Sequence, residues 1–219
     1  IIENRIFDKS NLLINNNIKD LADITSLGTP TPGGGSISAL AGAYGVALSS
    51  MVSNLSYQKK ELHNYKDDYI LIGENCQIYK DRMLALIDLD TDAYNKVIEA
   101  MRLPKKTDKD KKNRNEAINI ATIYAADIPM EILELSLKSL RLVYDLVSIA
   151  NVNSISDLGV ALYMLYASAK GASMNVIINA KELSSNIKSV YLDKIAYHDK
   201  ELENIFTKIK ALVYKPLND

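Results

Sequence analysis

Asp90 stands among Leu86, Ile87 and Leu89 in a helical pattern. Apolar neighbours penalise the charged form of a carboxylate and raise its pKa. Such a group can give and take a proton near neutrality, which is general acid–base chemistry. Asp88 and Asp92 flank it on other helix faces and read as solvated. A second feature is Pro32-Gly33-Gly34-Gly35-Ser36, which runs directly into a helix. It lacks the Gly-Lys-Ser/Thr ending of a nucleotide P-loop. Glycines permit positive φ and close approach of a ligand to backbone. Free N–H groups at a helix start favour an anion or a carbonyl oxygen. The same residues also read as a tight turn capped by Ser36. Asp157 opens a later helix, where an acid also stabilises the dipole. Asn175 and Asn179 share one face of an apolar helix, so their amides must bridge helices or hold a polar ligand. His63 and His198 read as surface or interhelical residues.

These groups need long elements to position them. Strand alternation is nearly absent and helical periodicity recurs. Ile18, Leu21 and Ala22 predict a short first helix. A second runs from near Ser36 to near Tyr57. A third, Leu62 to Met101, is too long for one ordinary helix and is expected to kink or break before Pro104 stops it. Lys105 to Arg114 is a charged connection or an exposed helix start. Helix resumes from Glu116 to about Ala150, with Pro129 either kinking it or opening a new one. The turn Asn151–Ser156 leads to an apolar helix opened by Ser156 and Asp157 and reaching about Leu183. A last helix spans about Asn186 to Val213. With no repeat or low-complexity linker, the expectation is an all-α fold, one domain over 1–219, built as a bundle of long antiparallel helices.

No charged residue occurs between Asp23 and Lys59, so the second helix is expected at the centre. Ala39, Ala43 and Ala47 recur at i+4, and Ala161, Ala167, Ala169, Gly171 and Ala172 mark the helix after Ser156. Small residues let backbones approach closely, or leave a wall beside a planar ligand. The serines and alanines of the uncharged stretch argue against a membrane span. A formal net charge of −1 gives no reason to expect nucleic-acid binding. A single cysteine, Cys76, forbids an internal disulfide and fits a reducing, cytoplasmic setting.

The PGGGS turn is followed in order by Asp90-x-x-Ala93-Tyr94, Arg102-Leu103-Pro104-Lys105, Ser156-Asp157-Leu158 and Gly171-Ala172-x-x-Asn175-Val176. Together, over about Ile18 to Lys210, these resemble the formiminotetrahydrofolate cyclodeaminase and methenyltetrahydrofolate cyclohydrolase family. The resemblance implies an all-helical homodimer that takes a tetrahydrofolate derivative as substrate and needs no metal or other cofactor. A lyase reaction in histidine degradation is implied first. N10 attacks the formimino carbon on N5, ammonia leaves, and 5,10-methenyltetrahydrofolate remains. The hydrolase reaction, with water attacking the methenyl carbon, is the alternative. A non-catalytic folate-binding helical oligomer is the reading from another class.

On that resemblance Asp90 carries the proton, with Asp157 as the second catalytic carboxylate. Ser156, Asp157, Asn175 and Asn179 orient the pterin, and Gly33, Gly34, Gly35 and Ser36 pass close to its ring. Arg102 and Lys105 meet the glutamate tail, with Lys59, Lys60 and Lys106 as further cations for a polyglutamylated folate. These groups are expected to converge on one cleft. Lys170, beside Gly171, is expected to face solvent. The chain holds no counterpart of a formiminotransferase domain, so a separate formiminotransferase is an expected partner.

Overall fold

The computed structural model describes residues 12–218, so the expected limits of 1–219 run beyond the described residues. Among the described residues six α-helices follow one another: α1 (Ile18–Thr25), α2 (Gly34–Tyr57), α3 (Lys66–Met101), α4 (Asp108–Val147), α5 (Ile155–Ala180) and α6 (Ser185–Asn218). Short 3-10 turns at Leu13–Asn15, Lys60–Tyr65 and Val152–Ser154 join them. There is no strand among the described residues.

Local chemistry sets the boundaries. Asn17 caps α1 by accepting the Asp20 N–H at 2.9 Å. Thr107 and Asp110 form a reciprocal capping box at the start of α4, at 3.0 and 3.1 Å. The charged segment after Pro104 is therefore a short connection followed by an exposed helix start. Of the kink or cut expected in each long helix, the cut does not occur. α3 is continuous for 36 residues, the interruption lying before it at Tyr65. α4 runs through Pro129 for 40 residues. Packing along both lengths replaces what an isolated helix would lack.

The helices form an antiparallel bundle. α2 lies between α3 and α5, and α4 underlies them with one side against α6. The large buried side chains Ile132, Leu133, Leu137 and Leu140 of α4 meet Leu158, Leu162 and Leu165 of α5 in one core. Each such leucine contributes about 1.5–3 kcal/mol by leaving water. α2 sinks deeply because its inner face is small. A Cβ at Gly45 would lie 2.7 Å from Leu165 Cγ.

The uncharged stretch is central, as expected. Its buried serines are satisfied within the bundle: Ser53 Oγ donates to the Tyr69 carbonyl at 2.7 Å, and Ser49 Oγ to the Gly45 carbonyl at 2.9 Å. Ala39 and Ala43 are buried and Ala47 is half-buried. By length and composition α2 alone among the described helices could cross a membrane, but most of it is enclosed by its neighbours.

Candidate active site

The start of α2 is closed by a residue far away in sequence. Gly33, extended at φ −116°, offers no capping side chain. Asp90 of α3 does that work. It accepts the Ser36 hydroxyl at 2.9 Å and also the Ser36 backbone N–H. Burial pushes the Asp90 carboxyl above the ordinary carboxylate range, and the two hydrogen bonds from Ser36 pull partly the other way. A half-buried carboxyl at a helix N-terminus is thus held between a desolvation that favours its acid and donors that favour its anion.

The glycines are required for space rather than for φ. No described glycine has positive φ. A Cβ on Gly35 would lie 2.1 Å from Asp90 Oδ1, an impossible approach, and one on Gly34 would lie 3.2 Å from Asn175 Nδ2. Gly34 and Gly35 therefore bring the helix start against Asp90 on one side and Asn175 of α5 on the other. Ser38 Oγ donates to the Gly34 carbonyl at 2.6 Å, and a Cβ on Gly171 would sit 2.3 Å from that hydroxyl. Asn175 Nδ2 donates to the Gly171 carbonyl at 2.8 Å. Gly33 to Ser36, Asp90 and Asn175 thus converge from three segments.

The other expected members do not join them within one chain. Ser156 and Asp157 lie on the first turn of α5, eighteen residues before Asn175 in the case of Asp157, or about 27 Å along the axis. Asp157 is half-buried beside the far end of α2, where Ser56 Oγ accepts the Asn151 N–H. Asn179 is a bridge: its Nδ2 donates to the Ala125 carbonyl of α4 at 2.6 Å. Arg102 and Lys105 are exposed on the α3–α4 connection, Arg102 about 18 Å beyond Asp90 along the axis. Lys59 and Lys60 follow the far end of α2, about 36 Å from Gly34.

Two neighbours also differ from expectation. Asp88 is half-buried and accepts the Leu13 N–H at 2.6 Å, anchoring the segment before α1, with its carboxyl raised by burial. Lys170 does not extend freely into solvent: it pairs with Glu203 at 2.9 Å and Asp199 at 3.2 Å on α6. Asp92 is exposed and paired with Lys96, as expected. His63 is exposed, and His198 lies 3.9 Å from Glu134 between helices. Burial pushes the Cys76 thiol up to about 12, which removes it as a nucleophile. Sequence reasoning missed Ser38, whose i−4 spacing from Gly34 was the available signal.

The site's defining feature is a helical bundle that presses a carboxyl of raised pKa against a glycine-rich helix start. The chain belongs to the formiminotransferase-cyclodeaminase family, a family of folate one-carbon enzymes, whose model matches residues 17–208. A methenyltetrahydrofolate cyclohydrolase of Methylorubrum extorquens is 33% identical over 90% of this chain and 92% of its own. The formimidoyltransferase-cyclodeaminase of Gallus gallus is 32% identical over 70% of this chain, which spans only 28% of that relative's length. The solved structure of formiminotetrahydrofolate cyclodeaminase from Thermotoga maritima shares the fold at a TM-score of 0.82, over 91% of this chain and 96% of that one, with 24% identity.

Proposed function

We propose that this chain is a folate enzyme that converts 5-formiminotetrahydrofolate to 5,10-methenyltetrahydrofolate with release of ammonia. The carrying observation is Asp90, a half-buried carboxyl of raised pKa fixed by Ser36 against Gly35. N10 attacks the formimino carbon and gives up its proton. The C–N bond to the amino group then breaks, and that nitrogen must be protonated to leave as ammonia. An acid that keeps its proton nearer neutrality than an ordinary carboxyl suits that transfer. Asn175 orients the pterin, the Gly33–Ser36 turn lies against the ring, and Arg102 and Lys105 receive the glutamate tail. The reading includes a cytoplasmic homodimer supplied by a separate formiminotransferase.

The second reading is methenyltetrahydrofolate cyclohydrolase, favoured by the relative of that name that matches over nearly its whole length. There Asp90 would act as base toward water. Offering 5-formimino- and 5,10-methenyltetrahydrofolate separately, and following the methenyl absorbance, decides between them. Appearance of the band with ammonia supports the deaminase. Catalysed loss of the band without ammonia release supports the hydrolase. Folate binding with neither change would leave a non-catalytic binder.

A further inference from the structure

A cavity of about 220 Å³ lies in the seam between α2 and α3. Leu40 and Tyr44 of α2 form one wall, Leu84 and Ile87 of α3 the other, and Leu13 and Leu21 the roof. Leu40 is one turn beyond Ser36, and Ile87 is one turn before Asp90, so the cavity begins where the Ser36–Asp90 pair ends. From Ile87 to Lys80 at its other end is seven residues, or about 10 Å. Asp88 ties the roof to α3 by accepting the Leu13 N–H at 2.6 Å. Two polar groups stand among the apolar walls. Asn16 Nδ2 is committed to the Leu12 and Leu13 carbonyls, at 3.4 and 3.2 Å, so what Asn16 can offer a ligand is its oxygen, an acceptor. Lys80 is the only charged residue of the lining among the described residues. Its Nζ meets Gln77 Oε1 at 2.6 Å and Asp81 Oδ1 at 3.2 Å, and an ammonium carries three donors, enough for a third partner.

We infer that this cavity takes the pterin end of the substrate, and that Asn16 and Lys80 recognise its amino-pyrimidinone edge. The inference rests on the folate reading of the site. Apolar walls with a few placed polar groups are the usual form of a pocket for a flat ring with a polar edge. A tetrahydropterin is a fused two-ring plate of that kind. One edge carries ring N–H and amino donors beside a carbonyl acceptor. Asn16 Oδ1 accepts from the donors, and Lys80 Nζ donates to the carbonyl. A ring lacking either group leaves a polar side chain unpaired in the slot, which is how such a site discriminates. N5 then lies one turn back, at Ser36 and Asp90. The Gly33–Ser36 turn, with Asn175 behind Gly34, meets that end of the ring system.

The other half of a folate suits the cavity less well. Its glutamate carboxylates would face the Asn16 oxygen, acceptor against acceptor, and the one lysine there is already shared with Asp81. With the pterin inside, N10 points away from Lys80 along α3. The tail then leaves toward Arg102, about 18 Å beyond Asp90. One orientation of the substrate thus accounts for the cavity, for Asp90 at the reacting carbon and for cations at the opposite end.

Two measurements test this placement, after calorimetry of the wild type with 5-formyltetrahydrofolate. Absence of binding there defeats the folate reading itself, and the placement with it. The first test puts a cysteine at the half-buried cavity rim, Ala47→Cys, the native Cys76 being buried. 6-Methyltetrahydropterin, which has no tail, should slow its alkylation by N-ethylmaleimide at least tenfold. It should not protect Thr207→Cys on the exposed side of α6, and p-aminobenzoylglutamate should protect neither. Protection of Ala47→Cys by p-aminobenzoylglutamate instead, or by neither fragment while the whole folate binds, overturns the placement and leaves the folate reading standing. The second test compares Asn16→Leu and Lys80→Met. Each should raise the Kd for 5-formyltetrahydrofolate about tenfold, the scale of one hydrogen bond in a closed site, and leave the Kd for p-aminobenzoylglutamate unchanged. Wild-type affinity for the folate in both variants overturns the roles of Asn16 and Lys80.

Discussion

Asn179 repairs the helix that Pro129 interrupts. Proline has no N–H, so within α4 the carbonyl four residues earlier, Ala125, loses its donor. Asn179 Nδ2 reaches that oxygen from α5 at 2.6 Å. The bridge fixes the end of α5 one turn from Asn175, and through it the wall of the site.

Replacing Asn179 with alanine leaves the carbonyl of buried Ala125 unpaired. The expected cost is about 1–3 kcal/mol. In a Pro129→Ala background the helix N–H is restored and the cost should fall below about 1 kcal/mol. Denaturant unfolding of the two single variants and the double variant measures this coupling. Independent, additive effects would contradict the repair.

Gly35 and Gly34 should respond differently to alanine. At Gly35 the new Cβ would overlap Asp90 Oδ1 at 2.1 Å, so the carboxylate must leave Ser36. At Gly34 the Cβ would meet Asn175 Nδ2 at 3.2 Å, which a small side-chain shift relieves. Gly35→Ala should therefore lower turnover by roughly a hundredfold, the scale of general acid–base help. Gly34→Ala should keep turnover and mainly raise KM. Equal losses in steady-state kinetics would show that the Asp90 contact is not the reason for Gly35.

The helices are legible in the sequence because their signals are local or periodic: the charge gap of α2, the small residues of α5, and Thr107 before Asp110. Asp90 is legible for the same reason, since its apolar flanks predict burial. The partner of a polar group across the bundle is not. Nothing near Asn179 in sequence announces that Ala125 lacks a donor, because that depends on Pro129 fifty residues earlier. Asp88 reads as solvated, yet it turns to the backbone N–H of Leu13. Ser156 and Asp157 are expected beside Asn175 only because the family resemblance groups their motifs in one cleft. Helical rise alone separates Asp157 from Asn175 by about 27 Å.

The raised pKa of Asp90 gives stability a pH dependence of known sign. Its carboxyl starts from an ordinary 3.8 and is shifted upward by burial. Between the unfolded and the folded value the native state binds more protons. Stability therefore falls as pH rises through that window and levels off above the folded value. Asp90→Asn keeps a partner for Ser36 and removes the titration, so its advantage over the wild type should grow from acid to neutral pH. Turnover should fall roughly a hundredfold while folate still binds. Thermal melts of both proteins across this range, with a binding titration, check it. Parallel melting curves would mean that Asp90 is not raised.

Arg102 tests the placement of the tail. It lies on the exposed α3–α4 connection about 18 Å along α3 from Asp90, with Lys105 three residues on. A folate whose ring rests at Gly34 would have to run its glutamate chain along the overhanging part of α3 to meet these cations. Exposed ion pairs are each weak, near 0–1 kcal/mol, so Arg102→Ala should raise KM by up to about fivefold. That effect should appear with a polyglutamylated substrate, shrink with the monoglutamate, and vanish at high salt, where exposed charges are screened. kcat should stay near the wild-type value, because the interaction is the same in ground and transition states. Lys138→Ala removes another exposed cation, from α4, and serves as the control; it should change neither constant. If Arg102→Ala alters both substrates alike, or lowers kcat instead, the tail runs elsewhere and Arg102 has a different role.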